Sequence, residues 1–377
     1  MTAAFREIGT TMLCCIFNQA PLYRESVFRK IDSRYDAQFF FGYGSREPSR
    51  QGIAQTDFSI FKRPPRRFRV RTFGGHVPWY SGILHLPLSK RYSAFLVTGE
   101  FIWTWIPFLL LCGLTGKKFY AWGHGLKNAD SFGALKRFFY RRTEKYFIYG
   151  EKCLERMLRL GFPASKFRVI YNSLCGRTFP AELPSEASDI YLRRFGNGDP
   201  VLIFSGRLVP AKRLDMFAAA VTALNASGCP CNAVLVGDGA ERKKLEEAFR
   251  PVASRVWFYG ECHDENILSE LYRNAALCVS PGNAGLTAIH AMMYGGPVAT
   301  HDDFETQMPE YEAVEDGKTG FLYAAGDARS LESGIRRWLE NGPDRETVRE
   351  ECRKIIMEKW NSDSQIEIFA EEIGNVR

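Results

Sequence analysis

Three loops in the second half of this 377-residue chain gather residue types suited to binding an anion. In Ser205-Gly206-Arg207-Leu208-Val209-Pro210-Ala211-Lys212-Arg213, Gly206 lets the backbone come close to a ligand, and Arg207 and Lys212 bring two cations. Arginine forks a phosphate through two N–H groups and lysine adds a point charge, so the pair suits a diphosphate. The second loop, Ser280-Pro281-Gly282-Asn283-Ala284-Gly285-Leu286-Thr287, opens a helical stretch that contains His290. Asn283 is placed to cap that helix, leaving the amides of Gly285 and Leu286 free at its positive end, where phosphate binds without side-chain charge. The third loop, from Glu310 through Glu312 to Phe321, reads on composition as a solvated acidic loop. In the first half, His124 follows the apolar stretch Phe119–Trp122. Solvated cations, an ordinary strand-to-helix turn and a structural histidine are the plain alternatives when each feature is taken alone. Together they point to a nucleotide or sugar-phosphate ligand.

The elements around these loops alternate. Val201–Phe204, Asn232–Val236, Val256–Tyr259, Ala276–Val279 and Val298–Thr300 are short apolar runs bounded by turn residues, the pattern of buried parallel strands. Between them, Leu214–Leu224, Glu241–Phe249, Ile267–Asn274 and Ala284–Tyr294 have helical spacing, the last stopped by Gly295-Gly296-Pro297. This alternation predicts a doubly wound α/β domain over 200–344. The first half, 1–180, follows the same grammar. Strands are expected at Met12–Phe17, Ala37–Phe41, Ala94–Thr98, Phe119–Trp122 and Lys145–Tyr149, helices near Tyr23–Ile31 and Ser131–Arg141, and Phe167–Tyr171 leads into a linker. A linker rich in Pro, Gly, Ser and Glu is expected at 181–199, and a charged helical segment at 345–377 that crosses back to the first domain. Two α/β domains imply a cleft lined by loops at the carboxyl ends of both sheets.

Composition removes several classes. With 45% hydrophobic and 25% charged residues the chain is neither disordered nor fibrous. The longest apolar stretch, Phe101–Leu114, is too short to span a bilayer. The start, with Arg6 and Glu7 before Met12–Phe17, lacks the plan of a signal peptide, and a cytoplasmic protein is expected. The ten cysteines are scattered without a C-x-x-C pair, so they read as reduced, packed side chains and no metal site is expected. Charge is uneven: 29 Lys+Arg stand against 11 Asp+Glu over 1–180, and 21 against 32 over 181–377. The basic first half therefore expects a polyanionic partner, either a nucleic acid or an anionic membrane. Its densest run, Lys62-Arg63-Pro64-Pro65-Arg66-Arg67-Phe68-Arg69-Val70-Arg71, is interleaved with Phe61, Phe68 and Val70. Aromatics so placed suit a membrane interface, and the alternative is a solvated hairpin beside a core helix at Phe101–Leu114.

Five motifs in order resemble a known family. They are Ser205-Gly206-Arg207 with Lys212-Arg213-Leu214; Val236-Gly237-Asp238-Gly239 with Leu245; Phe258-Tyr259-Gly260; Ser280-Pro281 through Gly285-Leu286, Ala291-Met292 and Gly295-Gly296-Pro297-Val298; and Asp316-Gly317-Lys318-Thr319-Gly320-Phe321. Over about 198–340 they are similar to the donor-binding domain of GT-B retaining glycosyltransferases of family 4 type. The first half resembles that family more loosely, through Trp122-Gly123-His124-Gly125, Tyr149-Gly150-Glu151-Lys152 and Val169-Ile170-Tyr171-Asn172.

The resemblance implies two doubly wound domains and a retaining transfer of sugar from a UDP- or GDP-sugar to a glycan or lipid-linked acceptor, as in surface polysaccharide synthesis. It implies catalytic roles for His124, Arg207 and Lys212. Donor contacts are implied for Gly206, Gly260, Asn283, Gly285, Leu286, Thr287, His290 and Glu312. The two cations are expected to neutralise the diphosphate without a metal or other cofactor. The family's paired glutamates fall at Gly282 and His290 here, and the imidazole is expected to bond a ribose hydroxyl in place of the second. Two other classes compete: a degenerate binding protein, which the missing glutamates allow, and a nucleic-acid-binding protein, for which no known signature is present. No nucleic-acid partner is expected. The membrane reading adds a peripheral position on the inner face of the cytoplasmic membrane.

Overall fold

A computed structural model describes residues 12–44, 54–74, 77–126, 133–174 and 188–374. The chain divides into two compact units, one of Met1–Gly176 with Ser362–Arg377, the other of Arg177–Asn361.

The first unit is built on an eight-stranded sheet. Its strands are β1 (Met12–Phe17), β2 (Ala37–Tyr43), β3 (Arg66–Phe73), β4 (Val77–Ser81), β5 (Tyr92–Thr98), β6 (Lys118–Gly123), β7 (Lys145–Ile148) and β8 (Phe167–Val169), in the order β4-β3-β2-β1-β5-β6-β7-β8. All neighbours are parallel except β3 and β4, which form an antiparallel hairpin at one edge. The core is aromatic. Phe17, Phe28, Phe39 and Phe41 are buried and lie in ring contact with one another and with Phe61. Each such pair adds roughly 0.5–1.5 kcal/mol beyond its buried area.

The terminal helix Ser362–Ile373 belongs to this unit. Its Phe369 is fully buried, with ring centroids 4.7 Å from Phe147 and 5.3 Å from Trp122. At the rim, Arg168 reaches Glu371 at 2.9 Å and Lys145 reaches Glu372 at 2.9 Å. The helix before it, Arg345–Glu358, lies in the second unit.

The second unit has six parallel strands: β9 (Val201–Ser205), β10 (Asn232–Val236), β11 (Val256–Gly260), β12 (Leu277–Val279), β13 (Val298–His301) and β14 (Gly320–Tyr323), in the order β11-β10-β9-β12-β13-β14. The chain runs outward from β9 to β11, then returns to place β12 on the other side of β9. Strand order therefore reverses between β9 and β12, which makes a crevice beyond their carboxyl ends the natural ligand position. Helices Leu214–Ala226, Glu265–Asn274 and Leu286–Met293 follow β9, β11 and β12.

Several expectations change. Part of the expected linker is helical, at Ile190–Phe195, because Tyr191 buries its ring and donates its hydroxyl to the Leu271 carbonyl at 2.7 Å. Residues 181–187 of that linker, the N-terminal Arg6 and Glu7, Ser131 and Cys175 lie outside the described residues. The basic run 62–71 enters β3, which turns Arg66, Arg67, Arg69 and Arg71 to the surface and Phe68 inward against Tyr80 at 4.6 Å. Phe61 is also core. The aromatics interleaved with these arginines thus serve packing and are withheld from an interface. Phe101–Leu114 contributes a helix, Trp105–Thr115, that buries Trp105, Phe108, Leu109 and Cys112 and exposes Leu110 and Leu114. Among the described residues no helix is long and apolar enough to cross a membrane.

Candidate active site

The reversal between β9 and β12 brings the first two candidate loops together. Gly206, at the end of β9, has φ of +145°, and a Cβ there would crowd the Phe204 ring at 3.3 Å. Its amide donates to the Val236 carbonyl at 2.9 Å and the Leu208 amide to the Asp238 carbonyl at 2.9 Å, which ties this loop to the one after β10. Gly237 and Gly239 are needed for that approach, since a Cβ on either would fall 2.0 Å and 2.4 Å from the carbonyl oxygens of Gly206 and Leu208. Arg207 is exposed, and its guanidinium takes no hydrogen-bond or ion-pair partner among the described residues.

Lys212 is fixed from below. Its ammonium donates to the Asn283 carbonyl at 2.6 Å and to the Asn283 side-chain oxygen at 2.9 Å. Burial pushes it down to about 8, Arg207 acts in the same direction, and the Glu310 carboxylate opposes both. Two cations are thus held close together at the cost of desolvating one, an arrangement relieved by an incoming anion. Glu310 is 1% exposed, whereas Glu312 is half-buried. The acid of the third loop whose charge reaches Lys212 is therefore Glu310, two residues before the expected Glu312.

The helix Leu286–Met293 starts differently from the sequence expectation. Its N-cap is Gly285, at φ +53° and ψ −152°, and no side chain caps it. Asn283 does not cap because its side chain is occupied by Lys212. The amides of Gly285, Leu286 and Thr287 find no acceptor among the described residues, so all three remain available at the positive end of the helix. Thr287 donates its hydroxyl to the Ser205 carbonyl at 3.1 Å and pins this helix to the end of β9. Gln307 braces the turn: it accepts from the Ala284 amide at 2.9 Å, while its NH₂ group bonds the Thr300 hydroxyl and the His301 carbonyl at 2.7 Å and 3.0 Å.

Gly282, where the family pattern has a glutamate, touches the Lys212 loop. Its amide donates to the Lys212 carbonyl at 2.9 Å, and a Cβ on it would lie 2.1 Å from the Ala211 oxygen. His290, at the second glutamate position, is already engaged. Its Nε2 is 2.9 Å from Oε2 of Glu265, which also accepts from the Tyr294 hydroxyl at 2.7 Å. Sequence reasoning missed Glu265 and Gln307, which no spacing rule connects to the loops they brace, and read Glu310 only as part of a solvated acidic loop.

Gly260 ends β11 at φ +90° and accepts from the Gly237 amide at 2.7 Å. His124 lies in the first unit just past β6, half-buried, its ring 4.8 Å from Tyr149 and its carbonyl accepting from the Cys153 thiol at 3.0 Å. Seven of the eleven expected residues, Gly206, Arg207, Lys212, Asn283, Gly285, Leu286 and Thr287, thus share one locus beyond β9 and β12, and His290 stands one turn along the same helix. Gly260 and Glu312 occupy other loops of the same unit. No group of three or more His, Cys, Asp or Glu able to hold a metal ion occurs among the described residues.

Residues 193–355 match the family described as Glycosyl transferases group 1. The alpha-D-kanosaminyltransferase of Streptomyces kanamyceticus is 26% identical over 200 residues, covering 50% of this chain and 50% of that one. The chain spans half or less of the length of the curated relatives it matches. Among solved structures, HepE of Anabaena in complex with UDP is 17% identical with a TM-score of 0.68, covering 96% of this chain and 99% of that one. The lipopolysaccharide outer core galactosyltransferase WaaB is 14% identical with a TM-score of 0.70, at 96% and 99% coverage. These likenesses show the GT-B fold.

Proposed function

We propose that this chain, whose second unit carries a glycosyl transferases group 1 domain, is a glycosyltransferase that takes its sugar from a nucleotide-sugar donor. One observation carries the reading: Arg207, Lys212 and three unpartnered helix amides converge where the strand order reverses. A diphosphate leaving group fits that set, since its negative charge grows as the bond to the sugar breaks. Each well-placed donor in such a site is worth roughly 3–4 kcal/mol of transition-state stabilisation. Charge neutralisation falls to side chains and amides, and the reading assigns no metal. Uridine is the first base to test, because UDP occupies the Anabaena relative. A retaining course, with the leaving phosphate taking the acceptor's proton, follows from the family resemblance.

A lipid-linked or glycan acceptor, as in surface polysaccharide synthesis, and a peripheral position on an anionic membrane belong to the same reading. Their support is the exposed row Arg67, Arg69 and Arg71 along one face of β3, together with the exposed apolar side chains Trp103, Leu110 and Leu114. His124 is read as a contact to the transferred sugar.

The test is turnover of a panel of UDP-, GDP- and ADP-sugars, without acceptor and with EDTA present. One donor should release free sugar and nucleoside diphosphate, with the first-formed anomer matching the donor by NMR. Binding without turnover of any donor, in the presence of glycan acceptors as well, would mark the chain as a degenerate binding protein. No binding of any nucleoside diphosphate would refute the donor site itself.

A further inference from the structure

We propose that Glu265 is the carboxylate that binds the ribose hydroxyls of the donor nucleotide, positioned for this by His290 and Tyr294. The proposal rests on the nucleotide-sugar reading and names a residue which that reading leaves unused.

Glu265 opens the helix Glu265–Asn274, and its side chain is 45% exposed. Both protein partners fall on one oxygen: His290 Nε2 at 2.9 Å and the Tyr294 hydroxyl at 2.7 Å meet Oε2. The other oxygen, Oε1, takes no partner among the described residues. Two bonds on a single oxygen hold the carboxylate and leave the second oxygen of this 45% exposed side chain free to accept from an adjacent pair of hydroxyls. Burial alone would push this carboxyl up, but the bonds from His290 and Tyr294 prevail and hold it below its ordinary value. It is therefore ionised at neutral pH and accepts hydrogen bonds only.

The location suits a ribose. Thr287 and His290 are three residues apart on one helical face, about 4.5 Å along the axis. A diphosphate on the amides of Gly285–Thr287 would thus carry its sugar ring toward the His290 turn, where Glu265 waits. The imidazole is packed between Tyr272 and Tyr294, at 5.2 Å and 5.6 Å between ring centroids, and its side chain is only 15% exposed. It acts as a positioning residue that presents the carboxylate.

Titration calorimetry separates ribose binding from a purely structural latch between two helices. UDP is compared with its 2′,3′-dideoxy analogue on the wild type, Glu265→Gln and Glu265→Ala, with melting temperatures confirming folding. In the wild type UDP should bind about tenfold or more tighter than the analogue, the effect of one charge-assisted hydrogen bond. In Glu265→Ala the two should bind alike, at the weaker affinity, and Glu265→Gln should fall between. Tyr294→Phe should narrow the preference while leaving the analogue's affinity unchanged. A UDP-to-analogue ratio that survives in both Glu265 variants overturns the proposal, as does a wild type that does not distinguish the two ligands. If UDP, GDP and ADP all fail to bind the wild type, the donor reading has failed and this assignment falls with it. If GDP or ADP binds instead, its dideoxy analogue replaces that of UDP.

Discussion

Gly282→Ala isolates the contact between the two loops proposed to hold the diphosphate. A Cβ at this position would lie 2.1 Å from the Ala211 oxygen and 2.8 Å from Lys212 backbone atoms, against an ordinary separation of 3.4 Å or more. The 211–212 backbone must therefore withdraw by more than about 1 Å, taking Lys212 with it and stretching the Gly282 amide bond to the Lys212 carbonyl, now 2.9 Å. Overpacking of this size together with one weakened hydrogen bond costs about 2–3 kcal/mol. For a unit of this length that lowers Tm by about 4–12 °C. UDP affinity should also fall about tenfold, because the ammonium no longer sits beside Asn283, while uridine binding should change little. Gly282→Glu meets the same wall at its first carbon, so restoring the family's glutamate should lower activity. Differential scanning calorimetry and UDP titration read both effects. A Tm within about 1 °C of the wild type together with unchanged UDP affinity would refute the loop contact as drawn.

Lys212 supplies a pH signature. Its ammonium, pushed down to about 8 by burial, discharges as pH rises through that value, so UDP affinity should fall about tenfold per pH unit above it. Lys212→Arg should abolish the decline, and a flat profile in the wild type would remove Lys212 from the diphosphate site. The stability of the unliganded protein should move the other way, rising between about 8 and the ordinary 10.5, because the folded state gives up this proton first. Phe369→Ala should destabilise the first unit by about 3–5 kcal/mol in urea titration, given its full burial against Phe147 and Trp122, and a loss below about 1 kcal/mol would mean the terminal helix is not part of that core. Sedimentation with anionic vesicles should weaken steeply when Arg66, Arg67 and Arg69 become Glu, each arginine near an acidic leaflet contributing about 1 kcal/mol. Equal recovery of the wild type with neutral and anionic vesicles at low salt would remove the membrane from the function.

The fold was legible wherever burial wrote a continuous apolar run. Asn232–Val236 and Met12–Phe17 occupy the bounds that the sequence suggests, because buried parallel strands leave no polar alternation to confuse the reading. β3 is anticipated only as one arm of the alternative solvated hairpin, which the antiparallel pair β3–β4 forms. Arg66, Arg67, Arg69 and Arg71 face out around a buried Phe68, and their charge masked the alternation. β14, Gly320–Tyr323, begins inside the stretch read as an acidic loop, and Ile190–Phe195 sits in a stretch whose composition reads as linker. At the candidate site, residue type alone singled out Gly206, Arg207 and Lys212. The cap was misassigned because Asn283 is a good capping residue whose side chain the fold gives to Lys212 instead. Glu265 reaches His290 across 25 residues of sequence. Glu310 stands beside Lys212 only because the 3-10 turn Pro309–Ala313 after β13 brings it there, and no local pattern encodes such a meeting.

The central claim is that a nucleotide diphosphate lies at the reversal between β9 and β12. A crystal structure of the protein grown with UDP tests it most directly. Phosphate oxygens are expected about 3 Å from the Arg207 guanidinium, the Lys212 ammonium and the amides of Gly285, Leu286 and Thr287. Diphosphate density elsewhere on the second unit, with those five groups left untouched, would contradict it.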